Sequence, residues 1–172
     1  TMVPLTPDAI YRMYSNTKIV TSVAAMMLYE EGRLGLDQPL REVLPAFADV
    51  KVLKRKAAGI DDVEELASPV LMRHILSHSA GFSYGFVEPE SAIDQAYMAH
   101  GLDPLGNRED TLESMCDKLA KMPLVYQPGT SWRYSLATDV TARVVELLSG
   151  QRFDEFLKDR IFTPLSMVDT DF

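Results

Sequence analysis

Hydrophobic and polar positions alternate along this chain in a way that predicts a mostly helical domain. Residues 19–29, Ile-Val-Thr-Ser-Val-Ala-Ala-Met-Met-Leu-Tyr, carry no charge and are apolar on nearly every side, the pattern of a helix packed on all faces. It should end near Glu31, with Gly32 just past the cap, where a positive φ is needed. Ala9 to Tyr14 is rich in strand-favouring residues and reads as an extended lead into that helix. Leu136 to Ser149, closed by Gly150, and Phe153 to Phe162, before Thr163-Pro164, are two further helices.

The intervening segments give shorter elements. Pro39 to Leu44 predicts a short helix with proline first and Pro45 stopping it, and Ser68-Pro69 offers a cap and first-position proline for a helix over Val70 to Ser77. Between Ala48 and Leu66, Val50 and Val52 alternate with lysines and the acidic run Asp61-Asp62-Val63-Glu64-Glu65 follows. That predicts a hairpin with a basic strand opposite an acidic one. Gly81 to Arg108 has no period and reads as a long surface loop with a helical turn from Ser91 to His100. Asp110-Thr111-Leu112-Glu113 has the form of a capping box. Leu112, Met115, Leu119 and Met122 then form an apolar stripe up to Pro123, and Gln127 to Thr130 is a turn.

Composition narrows the function classes. With 172 residues, 47% of them hydrophobic, the chain is one domain or a piece of one, and neither disorder nor a membrane protein is indicated. The longest uncharged run falls well short of the ~20 residues of a membrane span. The net charge is −8 and no basic cluster exceeds Lys54-Arg55-Lys56, which sets nucleic acid aside. A single cysteine, Cys116, excludes an internal disulfide, and its apolar neighbours predict a buried, inert thiol. Thr1 to Pro7 lacks the basic and apolar regions of a signal peptide, and the compartment, cytoplasm or periplasm, stays open.

Candidate chemistry begins at Ser15-Asn16-Thr17-Lys18. Residues three apart share a helical face, so the Ser15 hydroxyl and the Lys18 amine can touch. A serine needs a base to become a nucleophile, and a lysine serves if desolvation and nearby positive charge depress its pKa. The helix N-terminus would favour an oxyanion formed there. Ser-x-x-Lys alone is a weak signal, since it arises readily by composition. Gly81-Phe82-Ser83-Tyr84-Gly85 matches the Gly-x-Ser-x-Gly nucleophile elbow, yet the strand-to-helix context and the acid-then-histidine order are missing, so Ser83 is expected not to be the nucleophile. His74 and His78 have the spacing of half a zinc site but no third ligand. They are read as structural, bonding free carbonyls at a helix end. Tyr134, between a Pro-Gly turn and a helix, is placed to reach a cleft, although by itself, as one of seven tyrosines, it reads first as a half-buried packing residue.

Taken together, Ser15-x-x-Lys18, Leu34-Gly35-Leu36-Asp37-Gln38-Pro39-Leu40, Ile75-Leu76-Ser77-His78-Ser79-Ala80-Gly81-Phe82 and Pro128-Gly129-Thr130-x-Trp132-x-Tyr134-Ser135 form an ordered set. In order and spacing it resembles the serine β-lactamase and penicillin-binding-protein superfamily, closest to its class C-like family VIII carboxylesterases. The resemblance implies an α/β (α+β) β-lactamase/transpeptidase-like fold, of which residues 1–172 would be the central, mostly helical part with a small hairpin. The flanking strands of the sheet, including one bearing a Lys/His/Trp-x-Gly motif, would lie outside these residues, the chain being either a trimmed or split product, completed by a second polypeptide segment, or one part of a longer molecule. It further implies Ser15 as acylated nucleophile, Lys18 as its base and Tyr134 as the partner that relays the proton, acting on a small-molecule ester without metal or cofactor. This piece alone would be weakly active or inactive. Tyr134-Ser135-Leu136 departs from the Tyr-x-Asn of class C β-lactamases, which favours an esterase. A β-lactamase or D,D-peptidase, an acyltransferase, and a non-catalytic binding or sensor module remain alternatives.

Overall fold

The computed structural model describes residues 4, 6–103 and 109–172. Helix α1 spans Thr17–Glu30 and packs against α5, Ala137–Ser149, which also touches α2 (Met72–Leu76), α4 (Leu112–Leu119) and α6 (Phe153–Leu157). Ala24, Ala25 and Leu28 of α1, Val140, Val144 and Val145 of α5, and Phe156 and Leu157 of α6 are fully buried in one core. Each large aliphatic or aromatic side chain removed from water there is worth about 1.5–3 kcal/mol. α5 is therefore the hub on which the other helices lie. α1 ends as its sequence predicts: Gly32 sits at φ +71, and the Arg33 N–H reaches back to the Leu28 carbonyl at 2.9 Å.

Several expectations are corrected. α1 is not packed on all faces: Ile19 (67% exposed), Val23 (46%), Met26 (37%) and Tyr29 (42%) form a bare apolar stripe opposite its core face. Continuous apolarity cannot distinguish a helix covered by this chain from one whose second face is left uncovered. The Pro39–Leu44 helix is two 3₁₀ turns, Leu40–Glu42 and Pro45–Phe47, with Pro45 opening the second. The helix expected from Val70 begins only at Met72. Leu40 N–H donates to the Val70 carbonyl and Met72 N–H to that of Gln38, a bridge that keeps residues 70 and 71 out of the helix, with Leu71 in extended backbone. The Gly81–Arg108 surface loop starts in the core: Phe82 and Ser83 are essentially inaccessible, with Phe82 edge-on to Phe47 at 5.6 Å. Residues 104–108 of that loop lie outside the described residues.

Other expectations stand. The helical turn near Ser91 is α3, Ala92–Ala99, with the Ser91 hydroxyl accepting from the Asp94 N–H. The hairpin pairs β1, Val52–Leu53, with β2, Val63–Glu64, antiparallel. Its charges face each other as expected, Lys54 to Asp62 at 2.8 Å and Lys51 to Glu65 at 2.7 Å. The capping box at α4 is one more correction, displaced by one residue, Thr111 rather than Asp110 being the cap and accepting from the Ser114 N–H. Cys116 is buried, and burial pushes its thiol up to about 12.

The segment after α4 positions the site. Leu124 is clasped to β1, its N–H bonding Lys51 and its carbonyl Leu53, and Val125 N–H donates to the Gly81 carbonyl at 2.7 Å. Further along, Gly129 N–H bonds the Ser79 carbonyl, Arg133 N–H that of His78, and Leu136 N–H that of Ser83. Residues 124–136 are thus stitched along residues 78–83. Gly81 is essential to that seam: it has φ +95, and a Cβ there would lie 2.6 Å from the Tyr126 carbonyl oxygen. Gly81→Ala is expected to destabilise the protein by about 3 kcal/mol or more, read as a lowered denaturant midpoint, because neither the dihedral nor the backbone contact can relax cheaply.

Candidate active site

Ser15 occupies a 3₁₀ turn, Tyr14–Asn16, that feeds directly into α1. The preceding residues 9–13 lead into it without regular secondary structure and are largely exposed. Tyr14 is held at φ +45, a left-handed conformation uncommon for a bulky residue, and the turn that results leaves Ser15 exposed beside a cavity of about 1160 Å³. Its walls include Ser15, Lys18, Tyr84, Phe86, Tyr134 and Asp139.

The three residues singled out in the sequence meet there. The Tyr134 hydroxyl donates to Ser15 Oγ at 2.8 Å. Lys18, one turn along α1, directs its Nζ to the Tyr84 hydroxyl at 3.2 Å rather than to Ser15, and stands 4.8 Å from the Tyr134 ring centroid and 5.2 Å from that of Tyr84. The two phenol rings stack nearly parallel, 5.3 Å apart at 5°. The ammonium therefore sits at the edge of a two-tyrosine platform.

That placement reverses the expected electrostatics of Lys18. Burial works to lower its pKa, but hydrogen bonding and charge interactions with Tyr134 and Tyr84 outweigh it, so the amine is held above its ordinary value. Tyr134 moves the other way. Burial would raise the phenol, yet hydrogen bonding with Lys18 and with Ser15 and the Lys18 charge bring it below the usual tyrosine value. The pair favours an ammonium at Lys18 and eases formation of a phenolate at Tyr134. Asp139, in the first turn of α5, is pushed up by burial, countered in part by Lys18.

His78, at φ +56, packs its ring 5.0 Å from that of Tyr134, and its Nδ1 lies 3.2 Å from the Ser135 hydroxyl. Burial and then the nearby Lys18 charge lower its pKa, which keeps the imidazole neutral. His74 Nδ1 accepts from the Leu71 N–H at 3.2 Å. Both histidines bond to groups of the fold, though not to the helix-end carbonyls expected of them. Among the described residues no cluster of three or more His, Cys, Asp or Glu could hold a metal ion.

Ser83 is fully buried and its hydroxyl donates to the Asp94 carboxylate, so no substrate reaches it. Tyr84, the next residue, is what sequence reasoning missed. It lies inside the same Gly-x-Ser-x-Gly motif, and only the three-dimensional stack against Tyr134 marks it. Asp139 likewise gave no signal, being one acid in an amphipathic helix.

The chain belongs to the Beta-lactamase family, which it matches over residues 1–172. Its fold is that of the β-lactamases and transpeptidases, of which it presents the mostly helical part and a small antiparallel hairpin. Among relatives, it is 34% identical over 169 residues to lovastatin esterase of Penicillium rubens, an alignment covering 96% of this chain and 40% of that protein. It is 32% identical over 170 residues to esterase EstB of Burkholderia gladioli, with 98% and 40% covered. Among solved structures, EstCE1, a hydrolase with promiscuous acyltransferase activity, superposes with a TM-score of 0.73 at 31% identity, covering 88% of this chain and 36% of that one. The chain thus spans about two fifths of the length of these curated relatives.

Proposed function

We propose that the protein carrying this chain is a serine hydrolase that cleaves small carboxylic esters through an acyl-enzyme on Ser15. The observation that carries this reading is the 2.8 Å line from the Tyr134 hydroxyl to Ser15 Oγ, with the Lys18 ammonium beside the phenol. At a pH where Tyr134 has ionised, the same line runs in reverse. Tyr134 takes the Ser15 proton as Oγ bonds to the ester carbonyl carbon, and the N-terminal turn of α1 faces the negative charge that develops on the carbonyl oxygen. Collapse breaks the bond to the alkoxy oxygen, which leaves as the alcohol with the proton from Tyr134. Water then repeats the sequence, giving the acid and free Ser15. In this scheme Lys18 holds the phenolate rather than acting as the first base. The esterase relatives support the substrate class.

A second acceptor is favoured by one observation: a solved relative of this fold is described as a hydrolase with acyltransferase activity. Deacylation by an alcohol in place of water needs the same residues and only a different occupant of the cavity. The bare stripe of Ile19, Val23, Met26 and Tyr29 supports the further reading that sheet strands outside residues 1–172 cover α1 and complete the site wall.

Incubation of the full-length protein with a fluorophosphonate, followed by peptide mapping, tests the assignment. The adduct is expected on the peptide containing Ser15, and an adduct on the Ser83 peptide overturns the mechanism.

A further inference from the structure

Ser83, Asp94 and Arg133 form a buried polar cluster that the proposed reaction does not use. Asp94 and Ser83 are fully inaccessible, and the Arg133 side chain is only 10% exposed. Arg133 Nε donates to Ser83 Oγ at 2.8 Å, and the Ser83 hydroxyl in turn donates to an Asp94 oxygen. One terminal nitrogen of Arg133 reaches both Asp94 oxygens, at 3.3 and 3.4 Å, while the other pairs with Glu88 at 3.1 Å. The Glu88 N–H donates to Asp94 at 2.7 Å, and the Ser83 N–H to the Tyr97 hydroxyl at 3.1 Å. Every member is bonded, and three separate segments converge on it.

Burying a carboxylate and a guanidinium is a poor way to gain stability, since an apolar set of similar volume does as well or better. What such a cluster supplies is direction, because a guanidinium fork fixes angles as well as distances. The residues that follow two of its members are Tyr84, after Ser83, and Tyr134, after Arg133. Those are the phenols that stack 5.3 Å apart around Lys18. The main chain repeats the link, Leu136 N–H donating to the Ser83 carbonyl at 3.1 Å and Arg133 N–H to that of His78 at 3.0 Å.

We propose that the Ser83–Asp94–Arg133 cluster is a positioning lock that holds Tyr84 and Tyr134 in register, so that one phenol anchors Lys18 while the other reaches Ser15. The lock rests on the reaction proposed above. It accounts for the buried serine of the Gly-x-Ser-x-Gly stretch, since Ser83 positions the proton-handling tyrosine and is not itself the attacking group. Arg133, Asp94 and Ser83 are positioning residues, acting through Tyr134. Displacement of a reacting group by about 1 Å is enough to slow an enzyme up to a hundredfold.

The test uses the full-length protein with Arg133→Gln, Arg133→Lys and Ser83→Ala. Fluorophosphonate titration counts folded sites. The variants are then compared in Ser15 labelling rate per site, in kcat and KM for p-nitrophenyl acetate, and in the pH at half-maximal rate. Arg133→Gln is expected to lower the labelling rate and kcat about 30-fold with KM changed less than about twofold, and to move the pH midpoint upward as Tyr134 leaves Lys18. Arg133→Lys should recover part of the rate, and Ser83→Ala should show the same pattern at about a fivefold loss. Variants that label and turn over like the wild type per titrated site, with an unmoved pH midpoint, overturn the lock and leave the Ser15 reaction standing. If Arg133→Gln fails to fold, Ser83→Ala decides by the same readouts, since it removes one hydroxyl and keeps the Arg133–Asp94 pair. Absence of a Ser15 adduct in the wild type overturns the reaction and the lock with it.

Discussion

Tyr134→Phe in the full-length protein should slow acylation of Ser15 by about a thousandfold, within the range a positioned general base contributes. The variant loses one oxygen. Its ring keeps the stack on Tyr84 and the contact with His78, so stability should stay within about 1 kcal/mol of wild type. Because the hydroxyl being removed is the group within 2.8 Å of Ser15 Oγ, the deficit belongs in kcat with KM little changed. Stopped-flow measurement of p-nitrophenol release separates the acylation step from deacylation. A Tyr134→Phe protein with a wild-type burst rate would return the base role to Lys18.

Lys18→Met carries the second large effect, and its signature is in pH. In wild type the Lys18 charge and hydrogen bond hold the Tyr134 phenol below its ordinary pKa, so the rate rises with pH through that lowered value and reaches its plateau early. Removing the ammonium leaves burial as the dominant influence, which raises the phenol, and the rising limb must move toward alkaline pH. An opposite charge at such distances shifts a group by about 1–3 units, and on the rising limb each unit is tenfold in rate. Lys18→Met should therefore lose about a hundredfold near neutrality and recover much of that loss at high pH. A lysine serving as the base itself would instead give a deficit that does not recover. The pH–rate profile distinguishes the two roles.

Much of the helical framework was legible in the sequence because its signals are local. Gly32 and Gly150 end helices where their left-handed backbone is needed, the opposed charges of Lys54 and Asp62 mark the hairpin, and Ser91 caps α3. What the sequence misplaced depends on contacts between distant segments. Val70 and Leu71 are taken from a helix into a bridge by Gln38 and Leu40, and the Gly81–Gly85 segment is drawn into the core by Phe47, Leu124 and Tyr126. The same distinction governs the site. Spacing placed Ser15 and Lys18 on one helical turn, but which of them Tyr134 touches, and the existence of a second phenol at Tyr84, follow from the seam between residues 78–83 and 124–136. The direction in which Lys18 shifts could not be read without those two rings, since burial alone points the other way.

Cys116, the sole sulfhydryl of the chain, is buried on α4, the helix that meets α5, and resists ionisation until strongly alkaline conditions. At neutral pH an alkylating reagent can reach it only when α4 swings away from the hub helix. This part of the protein carries its own gauge of breathing: the pace of alkylation on the Cys116 peptide reports how often the scaffold beneath Ser15 comes apart, with no probe introduced.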